Sequence, residues 1–149
     1  MIPGAEPSLG ELVRAFDERR VCVAANEAAK TGMASSIRVG VKLAQERGAS
    51  FVVLLAVDQP LIEADDLGAL AQAVVEGAPA AAAVYAGVVG IPAAFSFLFF
   101  DELCLLEGDQ GARRLLRDAP IAGLRLITLP HAEVDLDTEA AYREARANR

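Results

Sequence analysis

The residues best suited to chemistry are carboxylates placed at the ends of apolar segments. Asp58 follows an unbroken apolar run, residues 51–57, and precedes Gln59-Pro60. A carboxylate held at the end of a buried strand can take Mg²⁺, which binds through one or two carboxylates together with substrate phosphates. The same Asp can equally cap the turn before Pro60. In Val134-Asp135-Leu136-Asp137-Thr138 the two aspartates alternate, so an extended backbone would point both to one face and complete a metal site. Asp137 or Thr138 can instead cap a following helix. Gly32-Met33-Ala34-Ser35-Ser36-Ile37 offers small side chains and free N–H groups at a helix start, where an anion or a base edge can approach closely.

Such groups need rigid elements to hold them. Residues 21–25 are short and apolar and read as a strand that feeds a loop at Asn26. From Ser35 on, Ile37, Val41, Leu43 and Ala44 fall near one helical face, and Gly48 is placed to stop the helix. Residues 51–57 have the pattern of a strand covered on both faces. Residues 63–76 read as a helix, acidic in its first turn as the helix dipole favours. Residues 80–85 suggest a strand, 87–90 a turn, 92–95 a short extended piece and 97–106 a helix. Gly108-Asp109-Gln110-Gly111 breaks the pattern. A helix over 112–117, a strand over 124–129 and a charged helix over 138–147 follow. At the other end, Ser8 and Glu11 fit a capping box for a helix reaching about Glu18. Strand and helix alternate throughout, so the class is α/β, in a single domain over residues 1–149.

Composition narrows the partners. The chain has 149 residues, 14 basic and 21 acidic, a formal net charge of −7. A net negative surface argues against nucleic acid and anionic membranes, so any phosphate needs a local or metal-mediated site. No apolar run approaches the roughly 20 residues that cross a bilayer, and residues 1–7 do not read as a secretory signal. The expected location is the cytoplasm. Cys22 and Cys104 stand far apart without metal-ligand neighbours and read as reduced core residues. His131, the single histidine, reads as an exposed structural residue, and Phe97, Phe99 and Phe100 as core or interface.

Five segments, taken in order, resemble the MobA-like NTP transferase family, most closely its molybdenum cofactor cytidylyltransferase branch. They are Gly32-Met33-Ala34-Ser35-Ser36-Ile37, Leu54-Leu55-Ala56-Val57-Asp58-Gln59-Pro60-Leu61, Tyr85-Ala86-Gly87-Val88-Val89-Gly90-Ile91-Pro92, Gly108-Asp109-Gln110-Gly111-Ala112-Arg113 and Asp135-Leu136-Asp137-Thr138. The resemblance implies a Rossmann-like three-layer α/β/α sandwich with a mostly parallel sheet. It implies transfer of CMP, or as second choice GMP, from a nucleoside triphosphate to the phosphate of a molybdopterin cofactor, with release of pyrophosphate. Asp58 would be the main Mg²⁺ ligand and Asp137, or Asp135, a second. Gly32, Ser35 and Ser36 would lie near base and ribose. Gly90, Pro92, Gly108, Asp109, Gly111 and Arg113 would shape the side that receives the cofactor, Arg113 gripping its phosphate by a forked pair of hydrogen bonds.

One part of the family pattern has no counterpart here. Members open on a strand and a Gly-rich loop of the kind Leu-Ala-Ala-Gly-x-Ser-x-Arg-Met-Gly, followed by a lysine, whereas Met1-Ile2-Pro3-Gly4-Ala5 resembles the loop after a second strand. The expectation is an N-terminally incomplete member that lacks a central strand and either self-associates through an exposed sheet edge, rearranges its strands, or depends on another polypeptide that carries the missing segment. The competing expectation is a non-catalytic remnant or binding module without the triphosphate loop.

Overall fold

The computed structural model describes residues 21–118 and 121–134. The expected helices over 8–18 and 138–147, together with Asp135 and Asp137, lie outside the described residues.

Four strands form one sheet: β1 (Phe51–Leu54), β2 (Ala80–Tyr85), β3 (Val88–Ser96) and β4 (Arg125–Thr128), in the order β1-β3-β2-β4. β2 and β4 are parallel, while β3 runs antiparallel to both β1 and β2. Three strands therefore share a direction. Because β3 is inserted among them the sheet is mixed, and "mostly parallel" describes it only loosely. Helices cover both faces, as the three-layer reading expects. One face packs α1 (Met33–Glu46), α3 (Phe100–Cys104) and α4 (Arg113–Asp118) through Val41, Leu103 and Leu116 onto Ala80, Ala82, Ala93 and Phe95. The other packs α2 (Ala64–Val75) through Leu70 and Ala73 onto Ala81, Ala83 and Ala94.

The alternation along β2 explains this sandwich. Four successive alanines are poor strand formers alone, yet all are fully buried, Ala80 and Ala82 in one core and Ala81 and Ala83 in the other. Their small side chains let helices approach from both sides.

β3 is longer than the sequence suggests, because the expected turn over 87–90 is a two-residue hairpin. Tyr85 pairs with Val88, leaving Ala86 and Gly87 at φ 48° and 75°. Positive φ at both positions marks the tight turn whose twist suits a hairpin. Further along, Ala82 pairs with Ala93 and Ala83 with Gly90, so Ile91 and Pro92 form a bulge. Proline has no N–H for a ladder, and a bulge is where a sheet tolerates it.

Two strand expectations are corrected. Residues 21–25 join no strand and lie exposed, Cys22 included. β1 stops at Leu54, and Val57 is 101% exposed, so the run over 51–57 is not a strand buried along its length. Among the described residues β1 is a sheet edge that pairs with β3 alone, which leaves its side chains half-buried. Cys104 is partly buried against the first core, and Phe100 is buried beside it. Phe99 meets Phe95 edge to face, with ring centroids 5.9 Å apart, whereas Phe97 is exposed.

Candidate active site

The start of α1 is built around Gly32. At φ 113° and ψ 172° it is the N-cap residue of α1, a backbone conformation that side chains other than hydrogen resist. A Cβ there would lie 2.3 Å from both C and O of Gly108 and 2.8 Å from the Asp109 nitrogen. The 32–36 and 108–111 segments therefore meet backbone to backbone, and Ala34 N–H donates to the Gly108 carbonyl at 3.0 Å. The Arg38 guanidinium extends the contact by donating to the Leu106 carbonyl. Gly111 lies close to Met33, whose Sδ would be 2.9 Å from an added Cβ.

Asn26, which the sequence reading treated only as the start of a loop, organises the serines. Its amide nitrogen donates to Ser35 Oγ at 2.8 Å and Ser36 Oγ at 2.9 Å, while its Oδ1 accepts the Ala28 N–H at 3.0 Å. That last bond is the local Asx turn by which an asparagine in a loop could have been singled out. Ser35 donates onward to the Gly32 carbonyl at 2.8 Å and is buried. Ser36 is exposed, and its hydroxyl proton has no acceptor among the described residues. The first turn of α1 carries no acidic side chain, so no carboxylate of that turn opposes an anion at its positive dipole end.

A second group gathers at β3. Gly90 is buried, with Tyr85 and Arg113 over it: a Cβ would be 2.8 Å from the tyrosine oxygen and 3.1 Å from two guanidinium nitrogens. One of those nitrogens donates to Tyr85 Oη at 2.8 Å. Arg113 also lines an open cleft of about 590 Å³ with Gln110, Gly111, Arg114 and Arg117. Three arginines on a chain of net charge −7 concentrate positive potential where guanidinium forks can take a phosphate. Asp109 is exposed beside this region, and Pro92 is buried in the bulge, within the strand itself.

Asp58 stands apart from those contacts, in the turn after β1, half-buried and without a hydrogen bond or ion pair among the described residues. An unshared carboxylate of this kind fits a hard, oxygen-seeking divalent cation. Among the described residues no group of three or more His, Cys, Asp or Glu side chains is placed to hold a metal. Asp58 is linked to the rest of the site through its neighbour Gln59, whose amide reaches the carbonyls of Ile91 and Ala132.

His131 is not simply exposed. Its Nε2 lies 2.7 Å from Asp66 Oδ2, an oxygen that also accepts the Glu63 N–H at the start of α2. That backbone hydrogen bond, with the histidine contact adding to it, holds the Asp66 carboxyl below its ordinary 3.8 despite opposing desolvation. A lowered carboxyl pKa contributes stability that is complete above the unfolded value and is lost as pH falls through the folded value. Urea unfolding followed from pH 6 downward should show this loss beginning near pH 4, and Asp66→Asn should flatten the acid limb.

Comparison with known proteins gives a consistent set of relatives. Residues 5–125 match the family model described as the MobA-like NTP transferase domain. The chain is 37% identical over 122 residues to purine catabolism protein PucB of Bacillus subtilis (strain 168), a match covering 79% of this chain and 58% of that protein. Among solved structures it resembles Rv0371c of Mycobacterium tuberculosis H37Rv in its complex with manganese, with TM-score 0.69 and 28% identity over 92% of this chain and 73% of that one. An Rv0371c homologue from Mycobacterium sp. strain JC1 matches with TM-score 0.63 and 29% identity, covering 78% of this chain and 58% of the other. The chain thus spans under two thirds of the length of PucB and of the JC1 homologue. Among the described residues no helix is long and apolar enough to cross a membrane.

Proposed function

Because the chain belongs to the MobA-like NTP transferase family, we propose that it serves nucleotidyl transfer, moving CMP, or secondarily GMP, from the triphosphate to the phosphate of a molybdopterin cofactor. The observation that supports this most is the close packing of the 32–36 segment on the 108–111 segment through Gly32, next to an arginine-lined cleft. In this reading the base and ribose lie along Gly32, Ser35 and Ser36, with the Ser36 hydroxyl free to donate. Gly90, Pro92, Gly108, Asp109, Gly111 and Arg113 shape the acceptor side. Arg113, steadied by Tyr85, takes the acceptor phosphate.

Asp58 would hold the divalent cation, Mg²⁺ in this reading, with Asp137, or Asp135, as a further ligand. The manganese in the Rv0371c complex supports divalent metal use in the family. When bound, the cation supplies charge neutralisation at the α-phosphate. The protein's part is then positioning and electrostatics, which suffice for phosphoryl-type transfer when attack is in line. The edge that β1 presents among the described residues supports self-association as an accompanying feature. We place the protein in the cytoplasm, with no nucleic acid or membrane as partner.

The test is pyrophosphate release from CTP and from GTP with molybdopterin as acceptor. Release with one nucleotide, reduced at least about a hundredfold by Asp58→Asn, is the expected result, given the several kcal/mol a bound metal contributes to such transition states. Nucleotide binding without pyrophosphate release would assign the chain to the competing class, a non-catalytic binding module.

A further inference from the structure

Among the described residues the Asp58 turn lies beyond the strand ladder. The strand ladder ends at Leu54, and Leu55 and Val57 are 48% and 101% exposed. Within this stretch Gln59 reaches inward. Its amide nitrogen donates at 3.1 Å to the Ile91 carbonyl, in the bulge of β3, and at 2.9 Å to the Ala132 carbonyl, in the 3-10 turn Pro130–Glu133 after β4. The Gln59 backbone carbonyl also accepts the Ile62 N–H at 3.4 Å, which closes the turn.

Both protons of the side-chain amide are committed to carbonyls, so its orientation is fixed: turning it over would set oxygen against two oxygens. The remaining Oε1 is buried and has no partner among the described residues. An unpaired buried acceptor is a cost that a residue serving packing alone would shed. Ile91 lies next to Gly90, on which Arg113 rests. The amide thus connects the turn that carries Asp58 to the strand segment on which the Arg113 side chain packs.

We propose that Gln59 is a positioning residue that holds the Asp58 carboxylate in place for a divalent cation, relative to the arginine-lined cleft, through its paired hydrogen bonds to Ile91 and Ala132. The proposal rests on the reading of Asp58 as a cation ligand. Groups that orient a metal ligand are worth about 10- to 100-fold in metal affinity when removed.

The test is Mn²⁺ binding, followed by the electron paramagnetic resonance signal of the free ion, on the full chain and three variants. Asp58→Ala defines the Asp58-dependent site. Gln59→Met keeps length and volume without donors, and Gln59→Asn keeps the amide on a shorter arm. The expected result is Mn²⁺ affinity about tenfold or more weaker in Gln59→Met, with Gln59→Asn in between. Melting temperature is measured in parallel, because a merely structural residue would lower it and leave the Mn²⁺ dissociation constant unchanged. Unchanged affinity in Gln59→Met would overturn the positioning role while leaving Asp58 as a ligand. If Gln59→Met does not fold, the same conclusion is drawn from unchanged affinity in Gln59→Asn. Wild-type binding that Asp58→Ala does not weaken would overturn the reading of Asp58 itself, and the proposal with it.

Discussion

Gly32→Ala should lower stability by about 3 kcal/mol or more, combining backbone strain of about 1–3 kcal/mol with overpacking of similar size. The residue sits at φ 113°, where a side chain is strained whatever space surrounds it. Space is absent as well, since the new Cβ would fall 2.3 Å from two backbone atoms of Gly108. No rotamer change relieves a clash with backbone, so either α1 loses its first turn or the 107–111 loop moves away. Both outcomes break the bond from Ala34 N–H to Gly108 and separate the segments proposed to hold nucleotide and acceptor. Gly40→Ala is the matched control. Gly40 lies inside α1 with nothing within 4 Å of an added Cβ, so alanine there should stabilise by up to about 1 kcal/mol through helix propensity. Urea unfolding of both variants decides the comparison, and equal small effects would contradict the packing described.

Gly90→Ala should show the opposite division, with little change in stability and a large change in anion binding. The atoms nearest its Cβ would be the far ends of two long side chains, the Tyr85 hydroxyl at 2.8 Å and the Arg113 guanidinium at 3.1 Å. Those groups can swing away, so the cost in folding should stay within about 1 kcal/mol. Swinging away removes Arg113 from its bond to Tyr85 and from the cleft that it lines with Arg114 and Arg117. Loss of one charge-assisted bond is worth about 1.5–3 kcal/mol, or about 10- to 100-fold in affinity. Calorimetric titration with pyrophosphate should show that loss, and Arg113→Ala should match it. Tight binding retained in both variants would take Arg113 out of the phosphate site.

What the sequence disclosed depended on how local the governing physics is. The helix over 64–75 was legible because its acidic first turn and trailing Gly77 are local signals. The strand over 80–85 matched because its boundaries are set by Pro79 and a hairpin turn. The turn itself was misread. Nothing in Tyr85-Ala86-Gly87-Val88 forces φ 48° on an alanine; the pairing of the flanking strands does. Residues 51–57 looked like a buried strand because every one is apolar, yet burial of Val57 needs a covering element that the described residues do not supply. In the site, Gly32 and Arg113 could be picked out by resemblance. Their physical roles could not, because the partners of Gly32 stand 76 residues away at Gly108 and those of Arg113 at Tyr85 and Gly90. Gln59 was hidden for the same reason: its bonds span 32 and 73 residues.

The proposed function has Asp58, linked to the cleft through Gln59, bind a divalent cation together with a nucleoside triphosphate. Its most direct measurement is the melting temperature of the protein with CTP, GTP or neither, with and without Mg²⁺, beside Asp58→Ala. A ligand at 100 times its dissociation constant stabilises by about 2.7 kcal/mol, which for a chain of this size raises the melting temperature by roughly 5 to 10 °C. The account predicts such a rise with one nucleotide, only when Mg²⁺ is present, and absent in the Asp58 variant. A cooperative melt that millimolar nucleotide and Mg²⁺ leave unmoved would contradict it.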